Sequence, residues 1–153
     1  MIIRPVDIAG KTSTNYPDPF RSLVAGRTKR KLGDAAGLKN FGVNMVTLAP
    51  GSCSALRHWH LNQDEFIYVL SGELTLVTDE GEHILQAGMA AGFPAGDPNG
   101  HHLINRSGSA ASYLEIGDRT ADEEVVYPDV DLTAHYHTGE WRFMHKDGTP
   151  YPS

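Results

Sequence analysis

Between Gly42 and Gly117 the chain is a succession of short β-prone runs: V-N-M-V-T-L, H-W-H, F-I-Y-V-L, L-T-L-V-T, H-I-L, A-G-F, H-L-I-N and S-Y-L-E-I. Each is bounded by Gly, Pro, Asn or Asp. Short strands punctuated by turn residues predict an all-β sandwich or barrel. Two connections are tight enough for hairpins, Leu70-Ser71-Gly72-Glu73 and Thr78-Asp79-Glu80-Gly81-Glu82, so antiparallel pairing is expected. Phe66-Ile67-Tyr68-Val69-Leu70 does not alternate apolar with polar, and both of its faces should leave water. Its outer face then needs a cover, either the arm formed by residues 1–41 or a second subunit.

The chain has 153 residues, enough for one domain with a real core. The pattern divides it into an N-terminal arm at 1–41, a barrel at 42–117 and an extension over the barrel at 118–153. In the arm, Tyr16-Pro17-Asp18-Pro19-Phe20 is too proline-rich for a helix. The basic cluster Arg27, Lys29, Arg30 and Lys31 that follows reads as a solvated loop, because no helix N-terminus or Gly-rich phosphate cradle accompanies it.

Candidate chemistry concentrates in G-S-C-S-A-L-R-H-W-H-L-N-Q-D-E-F-I-Y-V-L-S-G, from Gly51 to Gly72. Alternate side chains of a strand share a face, so His58 and His60 converge while Arg57 and Trp59 point away. Leu61-Asn62-Gln63-Asp64 can turn the chain, returning Glu65 to the histidine pair. Imidazole and carboxylate suit zinc, iron, manganese, nickel or cobalt without selecting strongly among them. His135-Tyr136-His137 repeats the H-x-H spacing, but no further ligand stands at a matching distance, and it reads as surface.

These residues resemble the first motif of the cupin superfamily, G-x5-H-x-H-x(3,4)-E-x6-G, with six residues instead of five between Gly51 and His58. The second motif, G-x5-P-x-G-x2-H-x3-N, is met by Gly88, Pro94, Gly96, His101 and Asn105, with two extra residues in the turn Asp97 to Gly100. The resemblance implies a double-stranded β-helix, or jelly roll, with one divalent transition metal ion held in its cup. Its ligands would be His58, His60, Glu65 and His101. The distance to Asn105 selects His101 over His102, which should face the other way. The resemblance also implies a homodimer paired through a sheet, and its small bacterial members are described as sugar-phosphate isomerase-like or simply as cupin-domain proteins.

A formal charge of -6 argues against broad nucleic-acid binding and does not suggest an anionic membrane surface. A small-molecule substrate is the expectation. The start of the chain lacks a signal-like segment and no run is long enough to span a bilayer, which predicts a cytoplasmic protein. Cys53 is the single cysteine and reads as an inert loop residue. Three functions fit: an isomerase or epimerase on a sugar or sugar phosphate, an iron-dependent dioxygenase, and a non-enzymatic binding cupin. The first needs a base and an anion anchor. Tyr113 and Glu115 are candidates whose facing is open, Arg106 should point outward, and inward cations look sparse.

Overall fold

A computed structural model describes residues 1–152. Twelve strands run in chain order: β1 Arg27–Lys31, β2 Phe41–Leu48, β3 Trp59–His60, β4 Glu65–Ser71, β5 Glu73–Thr78, β6 Gly81–Gln86, β7 Ala90–Phe93, β8 His102–Ile104, β9 Ala111–Asp118, β10 Glu123–Tyr127, β11 Leu132–His137 and β12 Glu140–Met144. One short helix, α1 at Leu32–Ala35, interrupts them. Every ladder is antiparallel: β1-β2-β9-β4-β7 form one sheet, β6-β5-β8 a second and β12-β11-β10-β3 a third. The expected all-β jelly roll is present, and the expected strands lie where the hydrophobic runs placed them.

Side-chain alternation explains how the first two sheets close on each other. Val46, Leu48, Ile67, Val69, Ala111 and Tyr113 from the first meet Leu74, Leu76, Leu85 and Leu103 from the second in one buried cluster. The third sheet has its own cluster, in which Tyr16 and Val24 of the N-terminal arm pack on Val125, Tyr127, Leu132 and Ala134. Arm and tail therefore bury each other. Arg57, just before β3, ties the barrel to the tail by an ion pair to Asp129, with Nε 2.8 Å from Oδ2, and reaches the β5–β6 turn by another to Asp79.

Three expectations change. The Thr78–Glu82 connection is a hairpin, with Thr78 opposite Gly81. The Leu70–Glu73 turn is not: β4 pairs with β7 and β9, whereas β5 pairs with β6 and β8, so this turn carries the chain from one sheet to the other. Turn residues signal a reversal without fixing which strands then bond.

Gly72 makes that crossing possible at φ +77°, and a Cβ there would stand 2.8 Å from Ala111 Cβ and 3.0 Å from the Ala110 carbonyl oxygen. Gly72→Ala combines left-handed backbone cost with overpacking and is expected to lose about 2–4 kcal/mol of stability. Denaturant unfolding measures it, and a loss below the error of the method would contradict the packing described.

The second change concerns the outer face of β4. Ile67 and Val69 point inward at 2% and 0% exposure, but Phe66, Tyr68 and Leu70 remain 44%, 40% and 40% exposed. Of the two covers considered, the arm does not serve: Tyr16 and Val24 pack on the third sheet and Arg27–Lys31 extend the edge of the first. The register continues this apolar surface through Gly92, Ala90, Ile116, Leu114, Val43 and Met45. Third, the basic cluster is not a solvated loop. It is edge strand β1, bonded along β2 from Arg27↔Leu48 to Lys31↔Asn44. Of the extension expected at 118–153, Ser153 lies outside the described residues. Among the described residues no helix is long and apolar enough to cross a membrane.

Candidate metal centre

His58 and His101 are brought together by backbone. They form an isolated antiparallel bridge in which each donates to the other's carbonyl, at 3.1 and 2.9 Å, and their ring centroids are 4.7 Å apart. His60 follows on β3 with its ring 5.1 Å from that of His58. Glu65 opens β4 from the opposite sheet. Its Oε2 lies 3.0 Å from His101 Nε2, 3.3 Å from His60 Nε2 and 3.6 Å from His58 Nε2. The donor atoms of His58, His60 and Glu65 all fall within 4.8 Å of one another, a group that can hold a metal ion.

The donor set fits such an ion. Ligand atoms bonded at about 2.1 Å stand roughly 3.0 Å apart at right angles and about 3.4 Å apart at tetrahedral angles; His101 and His60 fall in that range around Glu65 Oε2 and His58, at 3.6 Å, just beyond it. Leu56 O lies 2.7 Å from His58 Nδ1. With Nδ1–H donating to that carbonyl, the Nε2 lone pair is left facing Glu65. Burial alone would raise the Glu65 carboxyl, yet the imidazoles of His101, His58 and His60 hold it well below the usual carboxylate range. At His60 burial is outweighed by Glu65 and Glu123, and its pKa rises. At His101 burial dominates and the pKa falls; its ring stacks on Phe93 with centroids 3.5 Å apart.

Glu123 is a residue the sequence reading missed. It is 3% exposed, its Oε1 accepts from the backbone N–H of Asn62 at 2.8 Å and of Glu124 at 2.7 Å, and its Oε2 lies 3.5 Å from His60 Nδ1. Neither of these two buried atoms has a hydrogen-bond partner, and a carboxylate closing on the imidazole from behind would fix its tautomer and raise its basicity as a ligand. Glu123→Ala is therefore expected to weaken metal binding about 10- to 100-fold, measured by competition with a chromogenic chelator. Unchanged affinity would remove Glu123 from the centre.

The cluster borders a cavity of about 520 Å³. Its long wall is the inner face of the five-stranded sheet, and the register reads the lining row by row: Gly42, Gly117, Glu65 and Phe93; then Lys31, Asn44, Glu115 and Ile67; then Lys29 and Tyr113; then Arg27, while Val46, Leu48, Val69 and Ala111 of the same face belong to the core. Glu115 and Tyr113 thus both face inward. Lys29 Nζ and Asn44 Nδ2 each lie 3.2 Å from Glu115 Oε1. The expected scarcity of inward cations is overturned, since Arg27, Lys29, Lys31 and Arg119 all line the cavity. The period-two spacing of Arg27, Lys29 and Lys31 was the available signal.

Other candidates take the places expected of them. His102 turns away and its Nδ1 lies 2.8 Å from the Ala55 carbonyl oxygen. Arg106 points outward to Glu82. Cys53 is buried, and burial pushes its thiol up, away from reactivity. His135 and His137 lie on β11, His137 pairs with Asp122, and among the described residues they join no metal-ligating group. Tyr136, between them, lines the cavity.

Residues 44–117 match the sequence family described as Cupin domain. Over its full length the chain is similar to a sugar phosphate isomerase from a cupin superfamily, from Silicibacter pomeroyi DSS-3, with 42% identity, TM-score 0.96 and coverage of 100% of this chain and 98% of that one. It is also similar to a protein provisionally assigned as a sugar phosphate isomerase from Acidithiobacillus ferrooxidans, with 29% identity, TM-score 0.75 and coverage of 84% and 83%. The polyketide cyclase RemF from Streptomyces resistomycificus shares the fold at 22% identity and TM-score 0.64, covering 77% of this chain and 78% of its own. No curated protein matches.

Proposed function

We propose that this chain, which belongs to the cupin superfamily, is a metal-dependent enzyme of the isomerase or epimerase type acting on a sugar or sugar phosphate. His58, His60, Glu65 and His101 hold one divalent transition ion. The observation that carries this reading is the inner wall beside the cluster, where Glu115, Lys29, Asn44 and Lys31 present acid, base and hydrogen-bonding groups to the same cavity. An apolar cup would have favoured oxygen chemistry.

The bound ion supplies Lewis-acid polarisation of a substrate oxygen. Glu115 supplies the base. Its Oε1 takes both Lys29 and Asn44, which fix the carboxylate and leave Oε2 free for a substrate proton. Gly117, two residues along the same strand face, stands directly opposite Glu65, so the Glu115 backbone lies about 6.6 Å along the strand from the metal ligand's row, a span that a metal-bound carbonyl and the carbon next to it can bridge. Gly42 and Gly117 carry no side chain into this space, which leaves room for substrate. The name of the Silicibacter protein supports the substrate class.

The test is exchange of a substrate proton. Metal-loaded protein in deuterium oxide, followed by proton NMR against a panel of aldose and ketose phosphates, is expected to wash deuterium into the carbon next to one carbonyl. Oxygen uptake with no exchange would replace this reading with the dioxygenase. A homodimer belongs to the same proposal, a second copy covering Phe66, Tyr68 and Leu70. Tyr68→Lys is expected to shift the mass in solution from two chains to one, as read by light scattering; an unchanged mass would place the interface elsewhere.

A further inference from the structure

Arg27 is the part-buried cavity cation whose charge the fold leaves free. Lys29 is neutralised by Glu115 and Arg119 by Asp34, whereas among the described residues neither Arg27 nor the exposed Lys31 at the strand end has an ion pair. Arg27 Nη1 donates to the Ser54 carbonyl at 2.6 Å, which fixes the guanidinium and leaves its other N–H groups unused by that bond. Tyr113, on the next row of the same sheet face, is 1% exposed, and its hydroxyl, buried in the cavity wall near the Ser54 side chain, has no partner within hydrogen-bond distance. A buried hydroxyl left unsatisfied costs stability unless a ligand completes it.

Tyr127 is the third member. It is 5% exposed, lines the same cavity, and its ring centroid is 5.9 Å from that of His58. A phenol keeps its proton at neutral pH, so both rings bring an O–H to the cavity, that of Tyr127 lying near the Tyr16 hydroxyl as well. Arg27 comes from β1, Tyr113 from β9 and Tyr127 from β10, so the donors reach the cavity from strands of two different sheets. Donors spread in space suit a tetrahedral oxyanion better than a planar carboxylate, and Arg adds charge-assisted bonds.

We propose that Arg27, Tyr113 and Tyr127 form a cradle for the phosphate of a phosphate-monoester substrate, next to the metal ligands and separate from them. The inference rests on the cavity being the substrate site of the preceding section and names the charged end of that substrate. It makes the substrate a phosphorylated sugar, not a free one.

Isothermal titration of metal-loaded protein with inorganic phosphate tests it, on the wild type, Arg27→Gln and Tyr113→Phe, with acetate as the planar comparison and metal per chain measured on each sample. The Gln can still donate to Ser54 and the Phe keeps the ring, so both variants should fold. Phosphate affinity is expected to fall at least about tenfold in Arg27→Gln and about fivefold in Tyr113→Phe, with metal content unchanged. Acetate should bind the wild type at least about tenfold more weakly than phosphate. No phosphate binding by the wild type, equal affinity across the three proteins, or acetate bound as tightly as phosphate would each overturn the cradle. A chain that takes up no metal while binding phosphate through Arg27 would instead overturn the metal-dependent reading and leave the cradle standing.

Discussion

Glu65→Ala and His101→Ala are each expected to reduce metal content from about one ion per chain to a small fraction, and to remove activity with it. The reason is geometric. Glu65 Oε2 is the atom that His58, His60 and His101 all approach, at 3.0 to 3.6 Å. Without it, three imidazoles face a buried space with no anionic donor, and the ion loses its only charged ligand. Removing His101 takes away a ligand held rigidly by its bridge to His58 and its stacking on Phe93. His102→Ala and His137→Ala are the controls and should retain the ion. Full occupancy in Glu65→Ala or His101→Ala would sink the four-ligand assignment.

Glu115→Gln is expected to lower kcat about 10²- to 10⁴-fold, the usual contribution of a positioned base, while leaving metal content unchanged. The amide keeps an oxygen for Lys29 and Asn44 but cannot take a proton at neutral pH. A structural role would behave differently. If Glu115 served only to neutralise Lys29, the variant would lose stability and keep its turnover. Single-turnover rates beside a denaturant curve separate the two, and a full rate in a destabilised variant would return the base to the unassigned residues.

The candidate ligand group was legible because its spacing is a backbone fact: alternation puts His58 and His60 on one face, and a polar turn returns Glu65. The strands were legible because the apolar runs are short and well punctuated. What could not be read was which sheet each strand joins. The turn at Gly72 has hairpin chemistry, yet it crosses between sheets because β4 finds β9 more than forty residues away. That single long-range pairing also decides the facing of Tyr113 and Glu115, which the sequence left open.

Arg27, Lys29 and Lys31 were misread for a related reason. Weighed as a charge cluster they look solvated, but with period two and an edge to pair with they become a cavity wall. Glu123 had no signal in either motif. Its position follows only from β10 pairing with β3, where Val125 stands opposite His60. Sequence patterns thus captured what neighbours in the chain determine, while the substrate-facing wall depends on strands that meet only in the fold.

The most direct test of the metal centre is anomalous diffraction from crystals of protein purified without chelator or a metal-affinity step. The predicted result is one transition-metal peak per chain, about 2.0–2.3 Å from Nε2 of His58, His60 and His101 and from a Glu65 carboxylate oxygen. A peak at any other group, or none between these four side chains, would contradict it.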